Sequence, residues 1–130
     1  VFLGKKGLRT AYEKMLGKST KKDIVFFSYL YNEEYAEEAD LFYHSIQEVS
    51  KKATVKGIAN KRYKKSWFSK KAKFLNTKFV DYPIPGNIDV FRDMVFIVSW
   101  HPEVIGILIK SKSIANSFKN YINEVWNKSK

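Results

Sequence analysis

Apolar side chains fall along this chain in two rhythms. Leu8, Ala11, Tyr12, Met15 and Leu16 follow the i, i+3, i+4, i+7, i+8 spacing of one helix face, which predicts an amphipathic helix over Lys6 to Leu16 with Gly17 placed to end it. Asp23 to Leu30, DIVFFSYL, is instead a nearly unbroken apolar and β-branched or aromatic run, the pattern of a central strand buried on both faces. From Glu33 to Ala53 the spacing returns to fours and threes, with Tyr35, Ala39, Phe42, Ile46, Val49 and Ala53 drawing one stripe along a long helix. Thr54 to Ala59 then reads as a short strand, so strand, helix and strand together predict a βαβ crossover with parallel pairing.

Lys61 to Phe74 is less regular, and Tyr63, Trp67, Lys70, Lys71 and Phe74 fit a short basic helix. A third strand is expected over Thr77 to Tyr82, stopped by the turn residues Pro83, Pro85, Gly86 and Asn87. Ile88 to Phe91 is a short extended piece, and Arg92 and Asp93 turn the chain. Met94 to Ser99 and Val104 to Ile109 are two Val- and Ile-rich runs around Trp100, His101, Pro102 and Glu103, the composition of a β-hairpin. Ser111 or Ser113 is placed to cap a last helix whose Ile114, Phe118, Ile122, Val125 and Trp126 form an apolar face that must pack back on the sheet.

A chain of 130 residues with 45% hydrophobic and 16% aromatic residues fits one compact α/β domain. No apolar run reaches the roughly eighteen residues of a membrane span, no signal peptide is visible, and a cytoplasmic protein without a membrane partner is expected. The absence of cysteine removes disulfides, thiolate nucleophiles and thiolate metal sites. The balance of 24 Lys and Arg against 13 Asp and Glu gives a net charge of +11, which attracts polyanions. No acid falls between Glu48 and Asp81, whereas the acids Glu33, Glu34, Glu37, Glu38 and Asp40 come earlier.

Chemical motifs are few. Gly4 and Gly7 precede a helix but lack the preceding strand, the third glycine and the Lys-Ser/Thr ending of a phosphate loop. His44 shares a helical spacing with Asp40 and Glu48, yet no further His or Cys completes a ligand set, so a solvated polar face is expected and no metal or cofactor. His101 lies in the hairpin turn beside no identifiable nucleophile. Lys61, Arg62, Lys64, Lys65, Trp67, Lys70 and Lys71 have the composition of surfaces that stack and neutralise single strands; the competing reading puts the aromatic rings in the core and the lysines in water.

The order of F-x-G-K-K-G-L at Phe2, DIVFFSY at Asp23, YPIPGN at Tyr82, F-R-D-M-V-F-I at Phe91, E-V-I-G-I-L-I at Glu103 and S-I-A-N-S-F with Trp126 resembles the C-terminal regulatory domain of archaeal TrmB-like transcriptional regulators. The resemblance spans Phe2 to Trp126. It implies a phospholipase D-like α/β fold, a mixed sheet flanked by helices with a C-terminal β-hairpin and terminal amphipathic helix. It further implies a DNA-binding winged helix upstream, which the Val start also suggests, and a role in effector sensing or dimerisation.

The enzymes of that fold act through H-x-K-x4-D. Here His44 leads to Ile46 and His101 to Glu103, and Asn87, Ile88, Asp89 and Val90 occupy the strand before the Asp93 turn, so no catalysis is expected. Ligands of open α/β sheets bind at the carboxyl ends of strands, where Ser28, Tyr29, Asn60, Arg62, Asp81 and Asp89 are the expected contacts for a small effector, a sugar or an anion. The sequence thus favours a non-catalytic effector or dimerisation domain of a transcription regulator, acting as a homodimer. The alternative is a nucleic-acid-binding module using Lys51 to Lys78.

Overall fold

The structure, a computed structural model, describes residues 1–129. A seven-stranded mixed sheet in the order β1-β7-β6-β5-β2-β3-β4 is flanked by helices on both faces. The long apolar run becomes the central strand β2 (Ile24–Tyr29), paired parallel with β3 (Thr54–Asn60) and antiparallel with β5 (Asn87–Phe91). Beyond β3 lies β4 (Leu75–Val80), also parallel. Beyond β5, β6 (Met94–Ser99) and β7 (Ile105–Lys110) form the expected hairpin, and β1 (Phe2–Leu3) closes that edge antiparallel to β7. Parallel pairing is therefore confined to the β2-β3-β4 side.

The first helix, α1 (Gly4–Leu16), buries the five residues that the spacing selects, Leu8, Ala11, Tyr12, Met15 and Leu16. Gly4 holds φ at +68°, a left-handed conformation that costs glycine little and lets its N–H donate to Val104 O at 2.9 Å. The two residues of β1 are too short a run to stand out from the sequence around them.

The helix expected over Glu33 to Ala53 is broken. It is α2 (Ala36–Ser45) followed by α3 (Gln47–Ser50), with Ile46 at φ −106°, ψ 10° between them. Ser45 Oγ donates to Phe42 O at 2.6 Å and accepts from Arg9 at 2.8 Å, while Ile46 is buried. A hydroxyl that bonds the preceding turn and a side chain pulled inward outweigh the continuity of the stripe. The basic segment folds as a 3-10 turn (Lys61–Lys65) and α4 (Trp67–Lys71), with Ser66 Oγ capping Ser69 N at 3.0 Å. The third strand begins two residues earlier than expected, at Leu75.

Side chains of β2, β5 and β6 alternate between two cores. Val25, Phe27, Phe91, Phe96 and Val98 pack under α1 to α4, whereas Ile88, Val90 and Val95 face α5 (Lys112–Lys128). Ser111 is the cap of α5, accepting from Ile114 N at 3.2 Å. Its buried stripe is Ala115, Ile122 and Val125; the expected Ile114 is 40% exposed, because the helix is rotated to bring the smaller Ala115 against the sheet. Lys78 Nζ donates to Trp126 O at 3.0 Å and to Ser129 O at 3.2 Å, and sits 4.6 Å from the Trp126 ring centre, a cation at the negative end of α5.

Close approach in the larger core requires glycine at Gly106. A Cβ there would lie 2.3 Å from Phe96 Cζ and 2.8 Å from Leu8 Cδ2, both fully buried side chains. Gly106→Ala should cost about 1–3 kcal/mol through overpacking, read as a lower urea midpoint with unchanged slope. Adding Phe96→Leu to that variant should recover part of the loss; no recovery would argue against this contact.

Candidate functional site

The helix-facing side of the central strands carries one carboxylate. Asp89 sits in the middle of β5, opposite Phe27 on β2 and Phe96 on β6, and the pleat turns it towards α1. There Tyr12 donates its hydroxyl to Asp89 Oδ2 at 2.6 Å. No other donor among the described residues reaches this carboxylate. The area it leaves uncovered faces a cavity of about 70 Å³.

Tyrosines form much of the wall, each from a different element. Tyr12 comes from α1, Tyr29 from β2, Tyr43 from α2 and Tyr63 from the 3-10 turn, joined by Phe27 and Phe68. Tyr29 and Tyr63 stand 4.7 Å apart between ring centres, Tyr29 and Tyr43 5.7 Å, and Tyr12 and Tyr43 6.2 Å. Such separations and tilts are those of mutually packed aromatic rings. Lining groups include no lysine, arginine or histidine.

Electrostatics follow from the enclosure. Burial pushes the Asp89 carboxyl from its ordinary 3.8 up to about 6, partly offset by the Tyr12 hydrogen bond. Burial, then the Asp89 charge, raises the Tyr12 hydroxyl well above its usual range, and the same two causes act on Tyr43. Burial is also the main cause of the raised Tyr29 and Tyr63. The Trp100 indole N–H favours the Tyr43 oxygen electrostatically, but it is buried without a well-formed hydrogen bond.

Of the six residues expected at strand ends, three reach the cavity and three do not. Ser28, Tyr29 and Asp89 line it, although the Ser28 hydroxyl is committed to Pro85 O at 2.9 Å. Asn60 is structural: its amide clamps the main chain of Tyr31, accepting from the N–H at 2.7 Å and donating to the carbonyl at 2.9 Å. Arg62 pairs with Glu33 at 3.3 Å and Asp81 with Lys61 at 3.2 Å, both at the exposed surface, where solvent leaves ion pairs little strength. Sequence reading missed Tyr12 and Tyr43, whose helical spacing marks them only as core.

Asp40 corrects another expectation. It is only 2% exposed and accepts from Ser66 Oγ at 2.8 Å, with burial raising its pKa and the Ser66 hydroxyl and the Phe68 and Trp67 amides opposing that rise. It therefore ties α2 to α4 instead of sharing a wet face with His44, and the break at Ile46 separates both from Glu48. His44 is exposed, with its ring 5.5 Å from Trp67, and His101 is exposed 3.4 Å from Glu34.

The basic segment divides. Tyr63 and Phe68 are core residues, while Lys64, Lys65, Lys70 and Lys71 remain exposed, Lys64 lying 5.0 Å from the Phe79 ring and Lys71 5.7 Å from the half-buried Trp67. Lys56 and Lys78 belong to the opposite side of the sheet, around Trp126. No helix among the described residues is long and apolar enough to cross a membrane.

The Asp89 site makes a pH-dependent contribution whose sign is opposite to that of a salt-bridged carboxylate. The fold binds this proton more tightly than the unfolded chain does, so its contribution is most favourable below about pH 4 and is lost as pH rises through about 6. Asp89→Asn keeps an acceptor for Tyr12 and removes the charge. It should be close to neutral near pH 4 and stabilising by up to about 3 kcal/mol near pH 8, measured by urea unfolding at both. An equal difference at the two pH values would overturn the assignment.

No protein-family model matches the chain, and no curated protein matches it. Among solved structures it is similar to TrmBL2, described as an archaeal chromatin protein with a novel mode of DNA binding, with a TM-score of 0.58 and 16% identity over 98% of this chain and 52% of that one. The chain thus spans about half the length of that protein. At this identity the likeness is one of fold.

Proposed function

We propose that this chain is a non-catalytic effector-sensing and dimerisation domain of a TrmB-like transcription regulator, built on a phospholipase D-like framework and acting behind a DNA-binding winged helix. The observation that carries the reading is the cavity beside Asp89, a space lined from α1, α2, β2 and the 3-10 turn with the part-buried Tyr12–Asp89 pair on its wall. The fold likeness to TrmBL2 over nearly the whole chain supports the regulator class. Asn87, Ile88 and Asp89 on β5, where the resemblance would place His-x-Lys, support a framework without phosphodiesterase chemistry.

Homodimerisation draws support from the outer face of α5. Ile114 and Tyr121 lie two turns apart and are 40% and 37% exposed, and partial burial, then the neighbouring Tyr82, raises the Tyr121 pKa. Sedimentation of the chain should show a dimer that Tyr121→Glu weakens by about tenfold or more. Thermal melts with sugars, nucleotides, anions and small cations should find a class that raises the melting temperature. A monomer at all concentrations, together with no stabilising compound, would overturn the proposal.

A second reading has its own support in the four exposed lysines at positions 64, 65, 70 and 71 and the +11 net charge. If these residues hold nucleic acid, binding by the chain should weaken steeply with salt, and the Lys70→Glu, Lys71→Glu double variant should flatten that slope by about 2. Absence of binding at about 0.1 M salt would sink it.

A further inference from the structure

The cavity under Asp89 has an unusual balance of charge. Its carboxylate is half-buried, receives one hydrogen bond and faces no cationic side chain, while the surrounding wall is largely aromatic. Burying a carboxylate without a counter-charge is costly, and here only the Tyr12 hydrogen bond offsets part of that cost. An anion would add like charge to it. A sugar ring is too large for a space of about 70 Å³, and there Ser28 is already bonded to Pro85 and Asn87 Oδ1 already accepts from Leu30 N at 3.0 Å. A small cation with an apolar body satisfies both halves of the site, because its charge meets the carboxylate and its methyl groups meet the negative faces of aromatic rings.

We propose that the cavity binds a small organic ammonium ion, held between Asp89 and the walls formed by Tyr12, Tyr29, Tyr43, Tyr63 and Phe68. This rests on the effector-sensing reading of the same cavity and names its ligand class. Size limits the ligand. The volume of about 70 Å³ is roughly half of the 150 Å³ cavity known to take benzene, which points to the mono- and dimethylammonium range. The overall +11 charge does not oppose this at close range, since physiological salt screens exposed charges beyond about 8 Å, whereas the carboxylate lies inside the wall.

The test compares methylammonium and dimethylammonium chloride with sodium chloride at matched ionic strength and about pH 8, where Asp89 is ionised. Melting temperature should rise with the ammonium salts, and amide resonances of Phe27, Asp89 and Phe96 should move in a saturable titration. Asp89→Asn should weaken the apparent Kd by about tenfold or more, whereas Tyr12→Phe, which keeps ring and carboxylate, should stay within about threefold. Isopropanol, ethylene glycol and sodium acetate serve as neutral and anionic probes. Stabilisation by one of these and not by the ammonium salts would overturn the cation class while leaving an effector cavity standing. No response to any probe would overturn the cation proposal, with the effector reading then resting on the sugar and nucleotide melts and dimerisation on sedimentation. Resonance changes confined to sites away from β2, β5 and β6, or unchanged affinity in Asp89→Asn, would overturn the proposal.

Discussion

β2 is hydrogen-bonded to a parallel strand on one side and an antiparallel strand on the other, and the remaining architecture follows from that double pairing. Its parallel neighbour can be reached only by a crossover, so α2 and α3 must lie over the sheet, and the next step to β4 places the 3-10 turn and α4 over it as well. Its antiparallel neighbour needs no crossover. The chain instead runs from the β4 edge to the other side of β2 and then meanders through β5, β6 and β7, leaving the second face to α5 alone.

This arrangement sets Asp89 opposite Phe27, beside the strand that carries Tyr29 and on the face covered by the tyrosine-bearing α1, α2 and 3-10 turn. Phe91 and Phe96, each almost wholly buried on the same face, contribute about 1.5–3 kcal/mol apiece to the packing that holds the sheet against α1. Gly57 and Gly106 make room for the rings around them: a Cβ at Gly57 would fall 2.5 Å from Phe27 Cγ, and one at Gly106 would strike Phe96. The cavity persists beside this dense core because Tyr12, Tyr29, Tyr43 and Tyr63 brace one another ring against ring across it.

Ionic contacts at the surface add little, and the polar contacts that shape the fold are the buried or half-buried ones. Asp40 with Ser66 fixes α4 on α2, Asn60 fixes the chain leaving β2, and Lys78 fixes the end of α5. None of the three serves the cavity directly. Each sets the position of an element that does, or of the helix that seals the opposite face.

Local pattern determined much of this protein. The α1 stripe, the nearly unbroken apolar β2, the parallel crossover to β3, the β6-β7 hairpin and a serine cap at position 111 or 113 are legible because each is encoded within one or two turns or strands of sequence. What depended on distant partners was not. The break at Ile46, the inward turn of Asp40 and the rotation of α5 that exposes Ile114 are decided by packing against elements far along the chain, and helical periodicity cannot see them. The site divides in the same way. Of the strand-end residues Ser28, Tyr29 and Asp89 line the cavity, but Tyr12 stands 77 residues from Asp89, and only the α1 packing that brings its hydroxyl to 2.6 Å joins a core tyrosine and a mid-strand carboxylate into one pair.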